Sequence, residues 1–287
     1  MRIVSFEADG SPRLGVASGD AVVDLAQAAP ELPRDLLALI KRDGGLAAAA
    51  AAAKRAPKAA VRPFEGLTFL PPIANPGKIP CLGLNYADHA AEGGHQKPTY
   101  PSLFMRCNTS LVAHGAPIVR PQCSVQLDYE AELAVIIGRR GRHVREADAL
   151  GYVAGYACFN DASVRDYQRK TTQWTMGKNF DATGAFGPWF VSADELPPGA
   201  AGLAIRSRLN GEVMQSANTS DMLFPVAETI AILTEGMTLE PGDVIATGTP
   251  AGVGHARKPP VWMKHGDVIE VEIEAVGVLR NPIRDEA

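Results

Sequence analysis

The chain has 287 residues, enough to bury a substantial core, and its 28 basic residues against 32 acidic ones leave a net charge of -4. So mild a balance, with no block of like charge, argues against nucleic acid or an anionic membrane as a partner. The four cysteines, Cys81, Cys107, Cys123 and Cys158, lack Cys-x-x-Cys spacing, which argues against a zinc knuckle or a disulfide framework and for buried thiols in a reducing compartment.

The first residues, Met1-Arg2-Ile3-Val4-Ser5-Phe6-Glu7, alternate like a strand and carry no secretory signal. With no run of about eighteen apolar residues free of charges and breakers, the expectation is a soluble cytoplasmic protein. Residues 1–28 read as short strands around turns at Gly10-Ser11-Pro12 and Gly19-Asp20, and residues 34–41 and 46–55 as helices, the second built on the alanine run 47–53. A breaker-rich passage, Pro71-Pro72-Ile73-Ala74-Asn75-Pro76-Gly77, then suggests a boundary near residue 70. This divides a small N-terminal α/β domain, 1–70, from a larger domain, 71–287. The larger part reads mostly as strands, at 81–84, 132–137, 152–159, 203–209, 243–246 and 268–273, with Asn210-Gly211 as a hairpin turn. Helices are fewer, at 87–92, 163–170 and 226–234. That order predicts an α+β fold with a mixed or closed sheet rather than alternating βα units.

Asp128-Tyr129-Glu130-Ala131-Glu132-Leu133 sets two glutamates two residues apart where an apolar run to Ile137 begins. On a strand that spacing points both side chains to one face, which continues as Ala134 and Ile136, while Leu133, Val135 and Ile137 fill the other. A strand apolar on both faces is buried on both, so the glutamates sit at the mouth of a core. Like charges held there need protonation, a basic partner or a cation. A hard divalent ion answers that need, and surface ion pairs with Arg139, Arg140 or Arg142 are the competing reading. Residues 267–274 repeat the spacing, but there Glu270, Glu272 and Glu274 form one wholly polar face opposite Ile269, Val271 and Ile273, which predicts a solvated strand.

Asn160-Asp161 closes the apolar run Tyr156-Ala157-Cys158-Phe159. Asp161 is either the N-cap of the helix expected from Ser163 or a third carboxylate, which with Glu130 and Glu132 would make an all-oxygen site suited to Mg²⁺ or Mn²⁺. Upstream, Asn85-Tyr86-Ala87-Asp88-His89-Ala90-Ala91-Glu92 sets His89 and Glu92 three apart, either a general base with its orienting carboxylate or a surface ion pair. Gly93-Gly94 suggests a hinge on which this segment closes as a lid. Gly177-Lys178 offers either a cation for a developing oxyanion or an ordinary solvent-facing lysine. The loop Thr247-Gly248-Thr249-Pro250-Ala251-Gly252-Val253-Gly254 is not a Walker loop; its amides and hydroxyls either capture a carboxylate substrate or form a plain turn. His95, His114, His143, His255 and His265 lack comparable neighbours and read as structural or exposed.

Taken in order, residues 83–92, residues 128–133, Phe159-Asn160-Asp161 with Arg165-Asp166, Gly177-Lys178 and residues 247–254 resemble the fumarylacetoacetate hydrolase family, over roughly residues 75–285. The resemblance implies a mixed β-roll, usually homodimeric, with Mg²⁺ or Mn²⁺ held by Glu130, Glu132 and Asp161. It carries the family's water-activating pair onto His89 and Glu92 and its substrate contacts onto Arg165, Gln168, Lys178 and Thr249. Where many relatives have lysine, Phe104-Met105-Arg106 places arginine, a broader fork at the distal substrate contact. The first seventy residues look like the small extra domain of longer members. The activity implied is cleavage of a carbon–carbon bond in an acylpyruvate-type 2-oxo acid, such as the fumarylpyruvate or acetylpyruvate of aromatic catabolism. His89 would deprotonate a water, Lys178 would stabilise the oxyanion, and pyruvate would leave with a carboxylic acid. Decarboxylation or isomerisation of a 2-oxo diacid such as oxaloacetate needs the same enolate but no attacking water, and is the alternative. A non-catalytic binding module with a structural cation is the reading from another class.

Overall fold

A computed structural model describes residues 1–88 and 99–287. The chain begins with strands β1 (Arg2–Ala8), β2 (Ser11–Ser18) and β3 (Ala21–Asp24), folded around the two expected glycine turns. Helices Leu25–Ala28, Leu36–Lys41 and Gly45–Lys54 follow, then β4 (Val61–Pro63) and β5 (Thr68–Phe69). The second helix starts at Leu36 because the Asp35 carboxylate accepts a hydrogen bond from the Ala38 N–H at 2.8 Å.

The remainder supplies β6 (Ile79–Gly83), β7 (Ser102–Arg106), β8 (Leu111–Ala113), β9 (Ile118–Arg120), β10 (Leu127–Asp128), β11 (Ala131–Ile137), β12 (Val153–Asp161), β13 (Ser163–Val164) and β14 (Gly184–Ser192). It continues through β15 (Ala204–Leu209), β16 (Glu212–Asn218), β17 (Val244–Ala246), β18 (Val268–Ile273) and β19 (Gly277–Asp285), with one long helix at Val226–Gly236. Among the described residues the main sheet runs β4-β3-β2-β1-β14-β12-β11-β17-β6-β7, with β5 beside β1 and β8 beside β14. A second sheet runs β16-β15-β18-β19-β9. Most neighbours are antiparallel, but β14 with β8, β17 with β6 and β19 with β9 are parallel. The fold is therefore α+β with mixed sheets, as expected.

Several expectations need correction. β14, central in the main sheet, was not anticipated, because Gly184, Gly187 and Pro188 read as breakers; both its faces are covered, so it has no alternation to show. The expected helix at 163–170 shrinks to Arg165–Gln168, since Ser163 and Val164 are taken up by pairing with Asp128 and Leu127. Cys81 and Cys158 are buried, but Cys107 and Cys123 are exposed. No helix among the described residues is long and apolar enough to cross a membrane.

β11 is buried along its whole length, with the two-sided packing its sequence predicts. Leu133, Val135 and Ile137 join a core with Tyr129, Ile205, Ile230 and Val271. Ala134 and Ile136 join another with Phe159, Phe186 and Val244, to which the first seventy residues add Ile3, Leu14, Leu36 and Leu39. β1 also pairs directly with β14, Ile3 opposite Phe190. The N-terminal segment thus continues the main sheet and covers the apolar face behind Glu132.

Candidate metal and substrate site

Strand pairing gathers the acidic groups. Glu130 precedes β11 and Glu132 is its second residue; β12 runs antiparallel to it with Ala131 opposite Asn160 and Glu132 opposite Phe159. The next step of that register sets Asp161 opposite Glu130, where the Asp161 N–H donates to the Glu130 carbonyl at 3.0 Å. Opposed residues share a face, and so do residues two apart on one strand. All three carboxylates therefore converge, with ligand oxygens within 4.8 Å of one another. They are 4%, 1% and 0% exposed in chain order. Asp161 is not a helix N-cap: the short helix after it starts at Arg165 with no side-chain cap.

Three buried cations frame this cluster. Lys178 Nζ lies 2.6 Å from both Glu130 Oε2 and Asp161 Oδ2. Arg165 reaches Asp128 Oδ2 with Nε at 2.8 Å and Glu130 Oε1 with Nη2 at 2.6 Å, and its Nη1 donates to Gln168 Oε1 at 2.9 Å. Arg106 pairs with Asp161 and also donates to Thr183 Oγ1 at 2.8 Å and Ser110 Oγ at 3.1 Å. Burial opposes the charge on Lys178 and Arg165, yet Asp161 and Glu130 around the first, and Glu130 and Asp128 around the second, raise both pKa values above their ordinary range.

Glu132 is different. Its Oε2 accepts the Gly248 N–H at 2.9 Å, and among the described residues it forms no ion pair. Burial, then Asp161 and Glu130, push its carboxyl well above the usual carboxylate range, against the opposing pull of Lys178 and the Gly248 N–H. Four buried carboxylates, Asp128 included, meet three buried cations. Hard oxygen donors, with Glu132 left without an ion-pair partner among the described residues, fit a divalent ion such as Mg²⁺ or Mn²⁺.

The loop after β17 does bind carboxylates through its amides, but they are the protein's own. Gly248 serves Glu132, while the Gly254 and His255 N–H groups hold Asp128 at 2.7 and 3.0 Å. Gly248 has φ +92°, and a Cβ there would lie 2.7 Å from the Asn85 Cβ, so the turn needs glycine. Thr249 Oγ1 donates to the Ala131 carbonyl at 2.9 Å and accepts from Gln215 Nε2 at 2.8 Å, fixing the loop to β11.

A cavity of about 300 Å³ opens on these groups; Glu130, Glu132, Arg165, Gln168, Lys178 and Thr249, all expected from the sequence, line it. Arg106, expected at a distal substrate contact, is instead 3% exposed, does not line the cavity, and holds Asp161 from behind. His89 and Glu92, with the proposed hinge Gly93-Gly94, lie outside the described residues. Several lining residues escaped the sequence reading, Trp174, Arg169 and His255 among them. Trp174 packs against Phe104 with ring centroids 5.8 Å apart and lies over Gly83, where no Cβ would fit. Arg169 stands exposed at the rim. His255, read as structural or exposed, has Nδ1 3.1 Å from Asp128 Oδ2 and lines the cavity. Its position one residue beyond the glycine loop was the only available cue.

A carboxylate triad at the end of paired central strands, braced by buried cations and open to a small cavity, makes a candidate metal site on a mixed-sheet scaffold. The C-terminal domain model of fumarylacetoacetate (FAA) hydrolases matches residues 78–284. Over 288 residues, 99% of this chain and 91% of the other, the chain is 40% identical to the Rattus norvegicus protein named oxaloacetate tautomerase Fahd2a, mitochondrial. Among solved structures it resembles the fumarylacetoacetate hydrolase of psychrophilic Exiguobacterium antarcticum, at 37% identity and TM-score 0.85. It also resembles maleylpyruvate hydrolase from Sphingobium sp. SYK-6, solved with manganese(II) ion and pyruvate, at 31% identity and TM-score 0.83. Both likenesses cover 100% of each chain. The chain belongs to the fumarylacetoacetate hydrolase family of enzymes.

Proposed function

We propose that this enzyme moves a proton on a 2-oxo diacid of the oxaloacetate type, interconverting its enol and keto forms with Mg²⁺ or Mn²⁺ bound by Glu130, Glu132 and Asp161. The observation that carries this reading is Lys178, a buried ammonium fixed 2.6 Å from two triad carboxylates on the cavity wall. A cation so placed stabilises the negative oxygen of an enolate without reorganising as the charge develops. The end-to-end likeness to a protein named as a tautomerase favours proton transfer over bond cleavage.

When bound, the ion supplies charge that polarises the oxygens of a 2-oxo acid. Lys178 donates to the C2 oxygen as its negative charge grows. Arg165 holds Glu130 and Asp128 in place, and Arg106 holds Asp161. Phe104, Trp174 and Leu82 give the cavity an apolar wall that strengthens these charges by limiting water. In this reading His89, with Glu92 as its expected partner, would take the proton from C3 while the C2 oxygen gains one from Lys178, and both transfers reverse in the enol-to-keto direction. The working form in this reading is a homodimer, which light scattering on the purified protein checks.

Hydrolysis of an acylpyruvate is the second reading, supported by the likeness to a maleylpyruvate hydrolase solved with manganese and pyruvate. There the His89–Glu92 pair would activate a water instead. The Mg²⁺-loaded protein should speed the approach of enol-oxaloacetate to its keto form and release no pyruvate from acetylpyruvate or fumarylpyruvate. Pyruvate with a matching carboxylic acid from the acylpyruvates, and no change in the enol–keto rate, would replace tautomerisation by hydrolysis.

A further inference from the structure

Among the described residues, the cations at the deep end of the cavity are already paired with protein carboxylates. Lys178 is held by Glu130 and Asp161, and Arg165 by Asp128, Glu130 and Gln168. His255 turns Nδ1 toward Asp128. Arg169 is the exception: it lines the same cavity, and among the described residues its side chain forms no ion pair or hydrogen bond. Its backbone is fixed, because the Arg169 N–H closes the short helix by donating to the Arg165 carbonyl at 3.1 Å. The next basic residue, Lys170, lies over the Tyr167 ring at 3.3 Å and does not line the cavity.

We infer that Arg169 reads the second carboxylate of the substrate and so selects 2-oxo diacids over 2-oxo acids with a neutral tail. The inference rests on the proposal above that a 2-oxo acid binds with its keto acid end at the triad. A diacid brings one more negative charge into a site whose other described cations are already paired with protein carboxylates, and a carboxylate leaving water without a partner is costly. A guanidinium at the rim meets it with two parallel N–H groups, the geometry a carboxylate matches best. Lysine would keep the charge and lose the fork.

The test uses the full-length Mg²⁺-loaded protein and a pair of 2-oxo acids with the same chain length, 2-oxoglutarate and 2-oxopentanoate, which differ by a carboxylate in place of a methyl group. Calorimetry gives the ratio of their dissociation constants. Wild type should prefer 2-oxoglutarate; Arg169→Gln should reduce that preference roughly 3- to 10-fold, as for a charged hydrogen bond at a partly wet site, and Arg169→Lys should restore part of it. Arg142→Gln, at an exposed position outside the cavity lining, serves as the charge control and should leave the ratio unchanged. An unchanged ratio in Arg169→Gln, or equal weakening of both ligands, overturns the inference. The two proposals fail separately: lost diacid preference in Arg169→Gln with no enol–keto activity in wild type removes the tautomerase reading alone. Enol–keto activity with an unaltered ratio removes the role of Arg169 alone.

Discussion

β11 and β18 carry the same local pattern, glutamates two residues apart on a strand, and use it in opposite ways. On β18, Glu270 and Glu272 stand half-buried on the outer face while Ile269, Val271 and Ile273 are buried beneath. Neighbouring strands meet those charges with arginines: Arg208 lies 2.5 Å from Glu272, and Arg280 lies 3.4 Å from Glu270. On β11 the face beyond Glu132 goes into a core, and the facing strand adds another carboxylate instead of a base. Water and arginines at or near the surface absorb the first arrangement; buried cations and a carboxylate left for a metal define the second. The spacing creates the pair, and what covers it decides whether the pair can do chemistry.

The comparison is tested most severely at Lys178. Lys178→Met should destabilise the metal-free protein by about 3–5 kcal/mol, the usual cost of stranding buried charges, and saturating Mn²⁺ should restore much of it. Urea melts with and without the ion measure both effects; no recovery with Mn²⁺ would count against the triad as its site. Next in size, Glu132→Gln should lower Mn²⁺ affinity on the order of 100-fold or more, above what changes outside the ligand shell usually cost. Calorimetric titration at fixed pH reads this directly, and full affinity in the variant would remove Glu132 from the ligand set.

A smaller effect lies beside the solvated strand. Burial, then Arg280, lower the His114 pKa from its ordinary value to about 4, and the Arg280 N–H donates to its Nδ1 at 3.1 Å. Between that value and the unfolded value the unfolded chain binds more protons, so stability should fall as pH drops from about 6.5 toward 4, by on the order of 1–2 kcal/mol. His114→Asn should flatten that part of the pH profile of urea midpoints; an unchanged slope would exclude His114 as its source. The least effect is expected at Glu272→Gln: within about 1 kcal/mol of wild type and with unaltered Mn²⁺ affinity, as for a partly exposed surface pair. A loss as large as that of Glu132→Gln would erase the distinction between the strands.

Much of this contrast was legible beforehand because it is local. A period of two gave both faces of β11, the polar face of β18, and the Asn210-Gly211 hairpin, where both residues have positive φ. β14 escaped because a strand covered on both faces and interrupted by glycine and proline shows no alternation. Arg106 was given a substrate role by the family resemblance, but the strand pairing that brings Asp161 to the site also sets that carboxylate against it. The loop at 247–254 was read either as capturing a substrate carboxylate or as a plain turn, and nothing in its spacing says that its amides hold Glu132 and Asp128 of the protein itself.

The sequence by itself determined which residues could form an oxygen-rich site, since residue chemistry and strand periodicity are properties of neighbours along the chain. Only the tertiary structure decided that Asp161 stands opposite Glu130, that Lys178 bridges them, and that His255 and Arg169 join the same cavity. Those placements depend on the register between strands and the packing of distant loops, and each joins residues too far apart along the chain for local spacing to link.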